Sequence, residues 1–215
     1  MRKQRGISLI VVLIGLVIIS FAAVALLRST DTATLVAGNL GFKKAALASG
    51  DAGSEAAITW LNANSGTNTL FSDQNTGGYY AASHDGCDIT GTRTPNDTTD
   101  DVDWAGGAPT ANCNVSAIEP SPQPAGVGTG YKVSYVINRM CNAAGDPGSV
   151  LAADGITAMV CSSSDSSSSS GGSTKVGPDY SGYAFSGSAQ TYYRITTRIA
   201  GPRNTVHYVQ AWVVL

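Results

Sequence analysis

The stretch of sequence that decides the fold runs from Ile7 to Leu27 and reads ISLIVVLIGLVIISFAAVALL. It contains no charged side chain, and as a helix rising roughly 1.5 Å per residue it would span about 31 Å, close to the thickness of a bilayer core. Three basic residues, Arg2, Lys3 and Arg5, precede it without an acidic neighbour. By the positive-inside rule, the amino terminus is expected in the cytoplasm and the remainder of the chain outside it.

The composition of the whole chain argues against a nucleic-acid-binding protein. Its 215 residues include 13 Lys or Arg and 15 Asp or Glu, a formal net charge of -2. Charged residues make up 13% of the chain, against about 25% in ordinary soluble domains. Phosphate binding needs a concentrated excess of basic side chains, and none is visible. The length suits one domain with an appendage.

Four widely spaced cysteines predict two disulfides rather than a metal site. None forms a CxxC pair, and the two histidines, His84 and His207, are far apart, so zinc-ligand spacing is absent. Disulfides require an oxidising compartment, which agrees with export of this region. Three pairings are possible, and joining each cysteine to its neighbour along the chain closes the shortest loops. The cysteines are Cys87, Cys113, Cys141 and Cys161.

The apolar stretch is compatible with three kinds of processing. It could remain as a plain membrane anchor. It could be a secretory signal peptide cut at the small-x-small site Ala23-Val24-Ala25, although it exceeds the roughly 7 to 15 apolar residues usual in such peptides. It could also be kept after a cut on its amino-terminal side.

The third kind of processing is supported by a resemblance at Arg5–Leu13. This segment, RGISLIVVL, resembles the type III signal of type IV prepilins, in which a prepilin peptidase cuts after the glycine and methylates the new amino terminus. The resemblance implies cleavage between Gly6 and Ile7, with the apolar helix retained.

A narrower resemblance is to the PilX family of minor pilins. It is carried by the QRGISLIVVL start, by LLRST at 26–30 and by VAGNL at 36–40. YRIT at 193–196 and GPRNTV at 201–206 resemble the closing hairpin of that family. The resemblance covers about the first 60 and the last 25 residues, and the middle of the chain matches nothing.

Two departures from the pilin pattern bear on the role of the subunit. Major pilins usually have a glutamate at the fifth mature position, where it meets the terminal amine of a neighbour, and this chain has Val11. Major pilins also often have a proline where this chain has Arg28. The missing carboxylate favours a minor or initiating subunit over a repeating one.

The resemblance implies a complete functional organisation. Residues 1–6 would be a leader peptide, 7–27 a transmembrane and filament-core helix, and 28–215 a periplasmic headgroup that includes the outer half of the helix. The protein would lie in the bacterial inner membrane and then in the pilus. Expected partners are the prepilin peptidase, other minor pilins and the major pilin through the helix, and a tip adhesin, with pilus assembly, adhesion, aggregation or twitching motility as outcomes.

Two alternatives remain open from the sequence. A minor pseudopilin of a type II secretion system would share the amino-terminal signal, although the closing hairpin is more similar to PilX. A secreted, disulfide-bonded binding protein would instead be cut after Ala25.

Beyond the membrane the pattern predicts that the helix continues to about Asn62, with a stop at 62–66. Along this helix, mainly apolar residues recur at spacings of three, four and seven residues and would form a stripe that faces a globular part of the chain. The stripe consists of Val36, Leu40, Leu47, Ser54, Ile58 and Leu61. Four glycines each weaken a helix by about 1 kcal/mol relative to alanine, so its outer half needs tertiary packing: Gly38, Gly41, Gly50 and Gly53.

Strand patterns appear only late in the chain. Alternation or apolar runs predict strands at Tyr131–Asn138, Tyr193–Ile199 and His207–Leu215, with a turn at Gly201–Asn204 and a weaker strand at Gly155–Cys161. Three or four antiparallel strands would cover the outer half of the helix. The predicted class is therefore α+β and pilin-like, with long disulfide-stapled loops.

Two segments are predicted as loops. Thr67–Gly130 shows no lasting period and is rich in Gly, Asn, Asp, Thr and Pro, so a disulfide between its own cysteines would be the economical staple. Ser162–Ser170, followed by Gly171 and Gly172, has the composition of a flexible linker, with a glycan-bearing role as a further possibility.

The sequence offers little for catalysis, and no catalytic, cofactor or metal residue is assigned. There is no nucleophile elbow and no phosphate-binding glycine loop. His84, next to Asp85 and Cys87, suggests a thiol catalyst only if that cysteine is unpaired. The aromatic residues Tyr79, Tyr80 and Trp104 could form an exposed recognition patch or lie buried.

One acidic cluster has oxygen ligands at a spacing that calcium could use. It lacks the glycine and final glutamate of an EF-hand, which favours a solvated turn. Its members are Asn96, Asp97, Asp100, Asp101 and Asp103.

Overall fold

The computed structural model describes residues 7–107, 109–162 and 190–215. A single long helix, α1 (Ile7–Asn64), precedes four strands: β1 (Tyr79–Tyr80), β2 (Lys132–Arg139), β3 (Tyr192–Gly201) and β4 (Thr205–Val214). Internal contacts divide the chain between Ala45 and Ala46 into two units. Each is described in turn.

The first unit is the amino-terminal part of α1. From Leu9 to Lys44 its side chains are exposed at nearly every position. No proline interrupts this helix, and hydroxyl side chains bond to its own backbone: Ser20 Oγ donates to the Leu16 carbonyl at 2.8 Å and Thr34 Oγ1 to the Asp31 carbonyl at 2.8 Å. Such bonds satisfy polar side chains without any partner outside the helix.

In the second unit, α1 buries a face made mainly of small residues. Ser54 Oγ on this face donates to the Gly50 carbonyl and lies 3.1 Å from Thr197 Oγ1 of β3. The predicted stripe is correct for Ser54 and Leu61 but wrong for Val36, Leu40 and Leu47, which are 66%, 51% and 47% exposed. The buried face consists of Ala46, Ser49, Gly50, Gly53, Ser54, Ala57 and Leu61.

The strands form one mixed sheet in the order β1-β2-β3-β4. Strands β2, β3 and β4 pair antiparallel without a break in register, as predicted, and β1 pairs parallel to β2. The α+β class is confirmed. The expected weaker strand at Gly155–Cys161 is wrong, because this segment makes only isolated bridges, Leu151 with Ala158 and Cys141 with Cys161.

Both faces of β2 are covered, which explains why seven of its eight residues are buried. Tyr135 and Ile137 point to the helix and pack with Ala57 and Leu61 in one apolar cluster. Val136, on the opposite face, packs in a second cluster with residues of the segment predicted as a surface loop. These loop residues are Val102, Cys113, Val115 and Ala117. The loop therefore forms a third layer over the sheet.

Candidate functional site

The apolar surface of α1 between Leu9 and Leu27 is the main candidate for a functional surface. Large aliphatic and aromatic side chains project on every side of the helix, and each is at least two-fifths exposed. Covering such a side chain is worth about 1.5–3 kcal/mol relative to leaving it in water. The exposed residues are Leu9, Ile10, Val11, Val12, Leu13, Ile14, Leu16, Val17, Ile18, Ile19, Phe21, Val24, Leu26 and Leu27.

Polar groups do not interrupt this surface. The Ser20 hydroxyl bonds to its own helix, and a methyl group added at Gly15 would meet nothing within 4 Å. Charges return at Arg28 and Asp31. By length and composition, α1 is apolar enough to cross a membrane, and it could anchor the chain there.

The predicted cleavage site lies at the beginning of this helix. Gly6 is outside the described residues, and α1 begins at Ile7. Val11, the fifth residue after the predicted cut, is 61% exposed, so this position presents an apolar side chain.

The four cysteines form two disulfides, Cys87 with Cys113 and Cys141 with Cys161. This is the pairing that closes the shortest loops. The first disulfide holds the loop layer over the sheet. The second joins Cys141, two residues after the end of β2, to Cys161. Because Cys87 is paired, the sequence His84–Cys87 offers no free thiol for nucleophilic chemistry.

Asp88 organises the loop layer and was missed by sequence reasoning. It is buried, and its carboxylate accepts backbone N–H bonds from Thr90, Gly91, Arg93 and Thr94. Burial alone would disfavour ionisation, but these four donors outweigh it and hold the pKa of Asp88 below its ordinary value. The Asp-x-Thr-Gly pattern, typical of an Asx turn, is the signal that could have indicated this role.

The acidic cluster is divided among separate turns. Asp97 accepts both the N–H and the hydroxyl of Thr99, while Asp103 accepts the hydroxyl of Ser116. In the described ranges, no group of three or more His, Cys, Asp or Glu side chains is placed to hold a metal ion. The carboxylates of Asp97 and Asp103 instead accept hydrogen bonds from the loop itself.

The three candidate aromatic residues lie in two environments. Tyr79 and Tyr80 are buried, which is the second of the two alternatives left open by the sequence. Trp104 is half-buried and lies 5.5 Å, ring centre to ring centre, from Tyr208 of β4 at an angle of 59°. With Arg198, which is opposite Tyr208 in the sheet, they line an open depression of about 540 Å³. Sequence reasoning missed Arg198 and Tyr208 because only strand pairing brings them to Trp104.

No family model, curated protein or solved structure matches this chain.

Proposed function

We propose that this chain is a minor pilin of a type IV pilus, cut after Gly6 and methylated at Ile7. The helix at 7–27 would hold it in the inner membrane and later join it to other pilins in the filament. The observation that carries the proposal is the uncharged apolar surface that surrounds α1 from Leu9 to Leu27. Such a surface suits lipid first and neighbouring helices afterwards.

The continuity of α1 favours retention of this segment over its removal. The helix runs from Ile7 to Asn64 without a break and passes through Ala25, where a signal peptidase would cut. Residues of the same helix, such as Ala57 and Leu61, pack in the core of the second unit. A retained helix would thus link a membrane or filament segment to a folded, disulfide-bonded part by continuous secondary structure.

The proposed cut changes the electrostatics of the amino terminus. Removal of Arg2, Lys3 and Arg5 takes the formal side-chain charge from -2 to -5, since three positive charges are lost. Leaving the bilayer for a helix bundle gains no hydrophobic energy by itself, so helix packing and external work must drive assembly. The resemblance to pilins implies that a dedicated ATPase supplies this work.

Val11 favours a place at the tip or in initiation. A subunit without a carboxylate at this position cannot form the ion pair with a neighbour's terminal amine that sets the register between repeating pilins. Later subunits could still pack their helices against its apolar surface. Its expected partners are companion minor pilins, the major pilin and a tip adhesin, and the proposed role is mechanical and interactive rather than enzymatic.

The amino terminus of the mature protein tests this proposal. The full chain, purified from membranes of a host with a prepilin peptidase, is expected to begin with N-methylated Ile7 in peptide mass spectrometry. A chain beginning with Leu26 would identify a secreted protein, and a chain still beginning with Met1 would identify a plain anchor. Either result would overturn the proposal.

A pair of glycine variants makes this test specific. Gly6→Ala is expected to block the cut, because the peptidase recognises the residue before the scissile bond. Gly15→Ala changes a glycine of α1 with open space around it, and we expect normal processing. In a deletion strain, loss of surface pili would support a minor pilin, whereas loss of protein export with intact pili would support the pseudopilin alternative.

A further inference from the structure

We propose that the depression lined by Trp104, Tyr208 and Arg198 binds a neutral carbohydrate. The inference concerns only the second unit and does not depend on the proposed role in pili.

The aromatic part of this depression is held in place from two sides. Trp104 belongs to the loop layer between the cysteines of the first disulfide, and its indole Nε1 donates to the Ile89 carbonyl at 2.8 Å. Tyr208 lies on β4, within an unbroken ladder to β3. The two tilted, half-buried rings therefore form a surface with little conformational freedom to lose on binding. The C–H face of a sugar ring packs well on such aromatic surfaces.

The polar part of the depression offers a hydrogen-bond donor and acceptors that do not bond to each other. Arg198 lines the depression, and its guanidinium has no hydrogen-bond or ionic partner among the residues that the structure describes. Asp101 and Asp103 line the same depression. Oδ1 of Asp101 is a buried carboxylate oxygen without a hydrogen-bond partner in the described chain, a costly arrangement that a bound donor would relieve.

These groups favour an uncharged ligand with hydroxyl groups. An anion would meet the carboxylates of Asp101 and Asp103, and a cation would meet the guanidinium of Arg198. A hydroxyl group donates and accepts at once, so neighbouring hydroxyls of a sugar can bond to the guanidinium and to a carboxylate. The volume of about 540 Å³ lies within the range of small-ligand sites, roughly 300–1,000 Å³, and the depression is open enough to admit a chain of sugars.

Binding can be measured with the full chain in phosphatidylcholine nanodiscs, which avoid the sugar head groups of glycoside detergents. The probes are four neutral oligosaccharides, cellotetraose, mannotetraose, β-1,4-galactotetraose and chitotetraose, and one acidic probe, tetragalacturonate. Saturation-transfer NMR is expected to detect at least one neutral probe, and titration calorimetry then gives its affinity. The acidic probe is expected not to bind. Absence of binding by all four neutral probes would overturn the proposal, as would preference for the acidic one.

Three variants locate the site. Arg198→Gln and Tyr208→Thr are each expected to weaken binding by about tenfold or more, because each removes a direct contact. Trp212→Thr is the matched control: Trp212 is a 57% exposed aromatic residue on the same strand, outside the depression. The affinity of the Trp212→Thr variant for the neutral probe is expected to stay within about twofold of that of the unchanged chain. The proposal is wrong if Arg198→Gln and Tyr208→Thr, with unchanged thermal unfolding, bind as the unchanged chain does, or if Trp212→Thr loses as much affinity as they do.

Discussion

Gly53 of α1 lies directly against Val133 of β2, so closely that no side chain fits at position 53. A Cβ atom at Gly53 would overlap Cγ1 of Val133 and come within 2.8 Å of Cγ2 of Thr197. One turn earlier, a Cβ atom at Gly50 would lie 3.0 Å from both Ile199 Cδ1 and Val209 Cγ2. The two glycines thus set the distance between helix and sheet.

The first prediction is that Gly53→Ala destabilises the fold although alanine is the better helix former. The overlap with Val133 forces the helix or the sheet to shift, which typically costs about 1–3 kcal/mol and outweighs a helix-propensity gain of about 1 kcal/mol. Urea unfolding of the full chain, followed by the fluorescence of its tryptophans, measures the change in the free energy of unfolding.

The matched control is Gly41→Ala on the same helix. A Cβ atom there meets nothing within 4 Å, so only the propensity gain applies and the free energy of unfolding should stay the same or rise. If both substitutions stabilise the protein equally, close contact at Gly53 is not what holds helix and sheet together.

These glycines also show where sequence reasoning stopped. The presence of four glycines between positions 38 and 53 correctly indicated that the outer half of α1 needs tertiary packing. The pattern did not indicate that Gly50 and Gly53 themselves make the contact, because a hydrophobicity stripe gives weight to large residues. Leu47 fits the stripe and is 47% exposed, whereas the helix face that packs on the sheet is made mainly of small residues.

Features encoded locally were predicted better than features that depend on distant contacts. The hydrophobic period and the residue spacing along the chain predicted four features. These are the ends of α1, the strands β2 to β4, the turn before Thr205 and the pairing of neighbouring cysteines. Strand β1 is only two residues long and exists because Tyr79 pairs with Ile137, 58 positions away. The loop layer and the depression at Trp104 likewise depend on contacts between distant segments, which no local pattern contains.

The second prediction concerns Arg139, a fully buried cation at the end of β2. Its guanidinium donates to the carbonyls of Ala81, Leu70 and Ala143 at 3.0, 2.9 and 3.2 Å, and it makes no ion pair with a described carboxylate. Arg139→Met deprives the carbonyls of Ala81 and Ala143 of this donor, whereas the Leu70 carbonyl keeps the Tyr79 hydroxyl. We expect it to lower the free energy of unfolding by about 3 kcal/mol. Thermal and urea unfolding at neutral pH measure this loss.

A neighbour on the same strand provides the comparison. Lys132 pairs with Glu119 at 3.2 Å, and its side chain is 70% exposed. Lys132→Met should change stability by less than about 1 kcal/mol, because exposed ion pairs contribute little. Equal effects of the two substitutions would mean that Arg139 does not fasten the segments around β2.

Four tyrosines are positioned to make the fold sensitive to alkali. Burial raises the pKa of Tyr79, Tyr80, Tyr135 and Tyr193 above their ordinary value. For Tyr79, Arg139 opposes the effect of burial without cancelling it. The hydroxyl of Tyr79 donates to the Leu70 carbonyl at 2.7 Å, and that of Tyr80 donates to the Ser116 carbonyl at 3.0 Å.

The third prediction is a loss of stability above about pH 10, the ordinary pKa of tyrosine. A folded-state pKa above the unfolded value means that the folded chain binds the proton more tightly, so the stabilisation is present below about pH 10 and is lost as the pH rises further. Tyr79→Phe removes the buried ionisable group and should reduce this loss. Urea unfolding from neutral to strongly alkaline pH, together with tyrosinate absorbance, checks this variant against the unchanged chain. A pH dependence unchanged by Tyr79→Phe would show that this buried hydroxyl is not a source of the alkaline instability.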